Sequence, residues 1–181
     1  MTPGDAAGGR TRTALVTGGT GGMGRVIASK LAAEGFDVAV AYFGSKDLAD
    51  ATVREIVAHG RQGEGFAADV ADEEAVAALF DAVEDRFEYL DVVVHTAGIN
   101  RSAALADLDL ADFDAVHRVN VRGTFAVNQQ AGRRVRGGGS IVNISSHVVR
   151  LSPPELSAYT ASKAAQGTGN RRRSRTGCRC S

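Results

Sequence analysis

Thr17-Gly18-Gly19-Thr20-Gly21-Gly22-Met23-Gly24 joins two segments of different period. Before it, Ala14-Leu15-Val16 is a short apolar run with the look of a strand. After it, Met23, Val26, Ile27 and Leu31 recur at helical spacing, and Gly35 stands where a left-handed residue closes a helix. Strand, glycine turn and helix in that order are the context in which such a turn binds a dinucleotide. Missing side chains let a pyrophosphate approach the backbone, and the helix N-terminus offers N–H groups and the positive end of its dipole. Thr17, Gly18, Thr20, Gly21, Gly22, Met23 and Gly24 are the candidate residues for that contact.

The alternation continues along the chain. Residues 38–42 read as a buried strand, and Leu48, Val53, Ile56 and Val57 mark a second helix closed at Gly60. Phe66-Ala67-Ala68 is a third strand, ending at Asp69-Val70. Asp72 caps a helix carrying Val76, Leu79, Phe80, Val83 and Phe87. Residues 90–95 form a fourth strand, a long helix from about residue 109 to 136 holds Asn120, and residues 140–144 form a fifth strand. A helix beginning near Ser157 carries Tyr159 and Lys163.

Near-continuous apolar strands between amphipathic helices define the α/β class, a parallel sheet covered on both faces. Right-handed crossovers then predict a Rossmann-like doubly wound sheet with strand order 3-2-1-4-5. Residues 13–165 are expected to form one dinucleotide-binding domain. Residues 1–12 read as a flexible arm and 166–181 as an Arg-rich disordered tail.

Length and composition, 181 residues with 44% hydrophobic and 23% charged, suit one globular domain. The formal net charge is zero, but Arg171, Arg172, Arg173, Arg175 and Arg179 fall in the last eleven residues. Without these five, 16 basic residues face 21 acidic ones, so the body is mildly acidic and unsuited to a phosphate backbone. An arginine run without interleaved aromatics reads as a solvated end, so no nucleic acid is expected. No apolar run approaches the ~18 residues of a membrane helix, and no secretory leader is read at the N-terminus. Cys178-x-Cys180 lacks the spacing of a zinc site, so no metal is expected, and a reducing, cytoplasmic setting fits.

The chemistry resides in Tyr159-Thr160-Ala161-Ser162-Lys163, with Ser146 thirteen positions upstream. Tyr159 and Lys163, one helical turn apart, share a helix face and can act on one small volume. A free tyrosine has a pKa of about 10, and a nearby cation favours the phenolate and lowers it. Ser146 reaches that volume only if the fold brings its strand there.

With the glycine turn, this constellation resembles the short-chain dehydrogenase/reductase family, and in particular its 3-oxoacyl-[acyl-carrier-protein] reductase-like members, over about residues 13–165. The resemblance implies an oxidoreductase that transfers hydride between a nicotinamide cofactor and a carbonyl or secondary alcohol, with 3-oxoacyl thioesters among the substrates. It implies that Tyr159 exchanges the proton with the reacting oxygen and that Lys163 lowers its pKa, both also meeting the cofactor. Ser146 would hydrogen-bond the substrate oxygen, with Ser145 structural, and Asn120 would hold a water linking Lys163 to solvent. Asp69-Val70 matches the family's adenine-contacting pair. His95-Thr96-Ala97-Gly98 matches its Asn-Asn-Ala-Gly, where Ala97 and Gly98 leave room beside the cofactor and both Asn are replaced. No chemistry falls to His95. His59, His117 and His147 read as surface residues.

Strand two ends Ala41-Tyr42-Phe43-Gly44-Ser45-Lys46 without the acid that would hold the ribose hydroxyls and repel a 2′-phosphate. Asp37 is at the wrong end. Tyr42, Ser45 and Lys46 therefore join the cofactor-contacting set, and NADP(H) is favoured over NAD(H). Gly21 stands where relatives often carry Arg or Lys, and Lys46 taken alone reads as a solvated helix start. Past Ala165 the family pattern stops, and Gly167 and Gly169 disfavour helix by about 1 kcal/mol each. Out-of-frame translation or a truncated product would give such a composition. The expectations that follow are fraying near Lys163, an exposed fifth-strand edge, doubtful assembly into the family's homo-oligomers, and a remnant that binds dinucleotide with impaired catalysis as the alternative to an active enzyme.

Overall fold

The computed structural model describes residues 10–166. The arm before residue 10 and the tail beyond 166, with both cysteines, lie outside the described residues. Five parallel strands, β1 Arg12–Thr17, β2 Phe36–Tyr42, β3 Gly63–Ala67, β4 Val92–His95 and β5 Ser140–Asn143, make one sheet in the order β3-β2-β1-β4-β5. This is the doubly wound order that the strand–helix alternation predicts. Thr17 pairs with Ala41 on one side and His95 on the other, and His95 pairs with Asn143. The C-terminal ends of four strands thus align along one rim, where such sheets bind ligands.

Side chains alternate across the sheet, so one apolar run fills two cores. Leu15, Ala39, Ala41 and Val93 face α3 (Glu73–Phe87) and α5 (Thr124–Arg134). Ala14, Val16, Val38 and Val40 face α1 (Gly22–Ala33) and α2 (Lys46–Ala58). Among the described residues no helix is long and apolar enough to cross a membrane.

Three local features differ from the sequence reading. α1 turns Gly24, Ala28 and Ala32 into the core and leaves Met23 and Val26 largely exposed. Small residues let this helix lie close to the sheet, which apolarity alone does not reveal. β3 starts at Gly63, three residues early, because pairing with β2 recruits Gly63 opposite Val38. A Cβ there would come 2.9 Å from the Ile56 side chain, so the glycine admits α2 against the strand. The expected long helix forms as α4 (Leu110–His117) and α5, joined without a break by a π-helical turn over Arg118–Gly123. A Cβ at Gly123 would come 2.8 Å from the Val70 carbonyl oxygen, so this turn presses directly on the segment after β3.

At the two ends, β1 begins at Arg12 and the last helix, α7 (Ser157–Gln166), ends at Gln166, each one residue outside the expected 13–165. α7 continues past Lys163 to Gln166, whose side chain is buried in hydrogen bonds.

Candidate active site

The glycine turn folds back tightly on itself. Gly18 sits at φ +67°, and a Cβ on it would fall 2.8 Å from the Ala97 backbone. A Cβ on Gly24 would run into the Gly18 carbonyl oxygen. Thr96 Oγ1 donates to the Thr17 carbonyl at 2.7 Å and so ties the ends of β4 and β1 together, a supporting role that survives the loss of the family Asn. Gly22, in contrast, has nothing within 4 Å of its Cβ position. The backbone is therefore crowded on its inner side and open on its outer side. α1 has no side-chain N-cap, leaving its first N–H groups to a ligand.

That open side is one wall of a cleft of about 570 Å³ along the rim. Gly18, Thr20, Gly21, Gly22, Met23 and Gly24 line it from the turn, Tyr42 from β2, Asp69 and Val70 from the segment after β3, and Ala97 and Gly98 from the segment after β4. Phe43, Ile99, Arg101 and Val119 also line it without having been singled out in the sequence. Five of the cofactor candidates stand apart from this lining. Thr17 is buried, with Oγ1 2.7 Å from His95 Nδ1. Ser45 caps α2, accepting the Leu48 N–H at 3.4 Å. Lys46 is exposed and pairs with Asp50 at 2.8 Å. Tyr159 and Lys163 lie on α7. Asp37 is at the far end of β2, occupied by Arg61 and the Gln62 N–H.

α7 places the tyrosine and lysine as the i, i+4 spacing requires. Lys163 is 5% exposed, and its Nζ lies 5.7 Å from the Tyr159 ring centroid. Nζ donates to the Ile144 carbonyl at 2.9 Å and to Gln166 Oε1 at 3.0 Å. No carboxylate pairs with it among the described residues. Burial pushes its pKa below the ordinary lysine value. The Cβ position of Gly98 is 3.6 Å from Nζ, so the ammonium meets the cleft lining at a residue without a side chain. Ser146 lies in the segment between β5 and the short α6 (Val148–Leu151), where its Oγ accepts the Val148 N–H at 3.4 Å. Ser145 Oγ donates to the Lys163 carbonyl at 3.4 Å, tying that segment to α7.

Asn120 is fully buried on the π turn. Its side chain clamps Ile99, accepting the N–H and donating to the carbonyl, both at 2.8 Å, and it also donates to Ser162 Oγ at 3.0 Å. Its backbone carbonyl accepts Thr124 Oγ1 at 2.6 Å and Gln166 Nε2 at 2.8 Å. The π-helical turn that carries Asn120 is a device common at functional sites.

His95 and Gln166 were not foreseen. His95 is buried between Thr17 Oγ1 at Nδ1 and Thr124 Oγ1 at Nε2, the latter 3.0 Å away. Burial, with the Lys163 ammonium adding to it, pushes its pKa down to about 4. The available signals were a histidine in place of the family Asn, and a glutamine three residues after Lys163 on the same helix face.

The family profile described as short chain dehydrogenase matches residues 12–168. The 3-oxoacyl-[acyl-carrier-protein] reductase FabG of Staphylococcus aureus is 41% identical over 85% of this chain and 63% of its own length. The D-threitol dehydrogenase of Mycolicibacterium smegmatis is 37% identical over 84% and 59%. Among solved structures, a short chain dehydrogenase from Burkholderia cenocepacia in complex with NADP superposes with a TM-score of 0.81 at 44% identity, covering 85% of this chain and 63% of that one. A blue fluorescent protein from a metagenomic library, in complex with NADPH, does so with a TM-score of 0.80 at 35% identity, covering 85% and 64%. The chain belongs to the short chain dehydrogenase family and spans less than two thirds of the length of these relatives.

Proposed function

We propose that this member of the short chain dehydrogenase family is an oxidoreductase moving hydride between NADP(H) and a carbonyl or secondary alcohol, with 3-oxoacyl thioesters the first substrate class to try. One observation carries the reading. The buried Lys163 ammonium, held by two neutral oxygens, lies between the Tyr159 ring and Gly98 of the cleft. A buried cation without a carboxylate is costly, and structural needs alone do not explain it. The cleft fits a dinucleotide: a glycine turn open on its outer side, an uncapped helix start, and Ala97 and Gly98 opposite.

A nicotinamide held there by the glycine turn, Ala97 and Gly98 would supply or take up the hydride. In the reducing direction the Tyr159 phenol gives its proton to the carbonyl oxygen as the carbon gains hydride, and the Lys163 charge stabilises the phenolate left behind. The Ser146 hydroxyl orients the oxygen. Asn120 holds Ile99, and with it the segment carrying Ala97 and Gly98, against α7. The preference for NADP(H) rests on the end of β2, where Phe43 and Gly44 stand in place of an acid. The NADP and NADPH bound by two structural relatives are in line with it.

Fluorescence titration with NADPH and NADH, followed by assay against 3-oxoacyl thioesters and simple ketones, tests the reading. NADPH should bind more tightly, and Tyr159→Phe should abolish turnover while leaving the NADPH dissociation constant within about twofold. Tighter NADH binding would overturn the preference. Binding without turnover would leave a dinucleotide-binding protein, and an equal loss of NADPH affinity in Tyr159→Phe would make that residue a binding group.

A further inference from the structure

We infer that Gln166 is the positioning residue for Lys163, and that its amide links the lysine through Thr124 and His95 to Thr17 at the glycine turn. The inference rests on reading Lys163 as the catalytic lysine. The orientation of the amide follows from its neighbours. An ammonium only donates, so the atom facing Lys163 Nζ at 3.0 Å is the carbonyl oxygen. A backbone carbonyl only accepts, so the atom facing the Asn120 oxygen at 2.8 Å is the nitrogen. That nitrogen's second proton goes to Thr124 Oγ1, also at 2.8 Å. Both ends of the side chain are thus used, and it cannot turn over without breaking three hydrogen bonds.

The chain continues in one sense. Thr124 Oγ1 gives its single proton to the Asn120 carbonyl at 2.6 Å, so it accepts from His95 Nε2 at 3.0 Å. Nδ1 is then the acceptor of the neutral ring, and the Thr17 hydroxyl donates to it at 2.7 Å. Thr17, His95, Thr124, Gln166 and Lys163 come from β1, β4, α5 and α7, and all five are buried. A shift of Lys163 therefore costs hydrogen bonds that reach back to the strand entering the glycine turn. The Ile144 carbonyl and Gln166 together take two of the three ammonium protons and leave one for the cleft. The titratable groups facing Nζ are Tyr159 and, behind Thr124, His95.

The chain contains three lysines, Lys30, Lys46 and Lys163, so lysine-selective ¹³Cε labelling of the full chain yields three titrating signals. Loss of one signal in Lys163→Met assigns the third. Gln166→Met removes the acceptor at nearly constant volume and should lower the Lys163 midpoint by about one unit, a tenfold change in its protonation equilibrium. Gln166→Glu puts a carboxylate there and should raise it. Midpoints unmoved in both variants would overturn the inference, whatever happens to thermal stability. If Gln166→Met does not fold, the expected rise in Gln166→Glu decides alone. These readouts need no turnover, so a failure of the proposed activity is seen separately, as an inactive wild type with shifted lysine signals.

Discussion

Between pH 7.5 and pH 5, acid should destabilise this protein through His95. Its ring is 1% exposed and neutral, with a folded pKa of about 4, against about 6.5 in an unfolded chain. Between those values the unfolded chain binds a proton that the folded one refuses, so stability rises with pH across the window and is lost as acid is added. The full difference corresponds to about 3 kcal/mol, and by pH 5 about 2 kcal/mol of it is gone. Charging the ring would also spoil the chain, because Nδ1 could no longer accept from Thr17. The perturbation is His95→Gln, which keeps polar atoms in the site but cannot take up charge. Denaturant unfolding followed by circular dichroism at pH 7.5 and pH 5 gives four free energies. The wild type should lose about 2 kcal/mol more between the two pH values than the variant does. The window lies above the range of Asp91. Burial pushes the Asp91 carboxyl up, but the Thr13 N–H and the Arg136 guanidinium outweigh burial and hold it below the usual carboxylate value. Parallel losses in wild type and variant would refute the argument, since His95 would then be reachable by protons in the folded state.

Two further outcomes follow from the geometry. Gly24→Ala would drive a methyl into the Gly18 carbonyl oxygen, so it should cost about 1–3 kcal/mol and weaken NADPH binding at least tenfold, read by denaturation and fluorescence titration. Asp91→Ala would strip the acceptor from the Thr13 N–H at 2.9 Å and from Arg136 Nη2 at 2.7 Å. It should cost about 2–3 kcal/mol while leaving NADPH affinity unchanged, because Asp91 precedes β4 and stands at the end of the sheet away from the glycine turn. Loss of affinity in step with stability would contradict that separation.

The strand order and the glycine turn were legible because their signals are local. Apolar strands, helical spacing and turn glycines lie within a few residues of each other, and right-handed crossovers leave few ways to assemble them. The face of α1 was not legible, because Gly24, Ala28 and Ala32 are buried for being small, and Met23 and Val26 are exposed although apolar. The start of β3 was not legible because glycine is depleted in strands, so Gly63 and Gly65 carry no strand signal until β2 pairs with them. Tyr159 and Lys163 were legible because one helix supplies both. The partners of Lys163 come from Ile144 and Gln166, nineteen residues before it and three after, and only the folded chain brings the first within reach.

His95, which stands in place of the first Asn of the family motif, is built into a chain of hydrogen bonds. A buried imidazole needs a partner at each ring nitrogen, or an orphaned polar atom costs about 1–3 kcal/mol. Here the partners are Thr17 and Thr124, two hydroxyls on different elements. Thr124 can serve His95 as an acceptor because its own proton goes to the Asn120 carbonyl, on the π turn. The same carbonyl and the same hydroxyl then receive both protons of Gln166, which orients that amide's oxygen toward Lys163. Each member fixes the hydrogen-bonding sense of the next, so replacing any one of them changes what its neighbours can do. Substitutions at His95, Thr124 and Gln166 should accordingly be non-additive, because the energy belongs to the chain of contacts rather than to any single side chain.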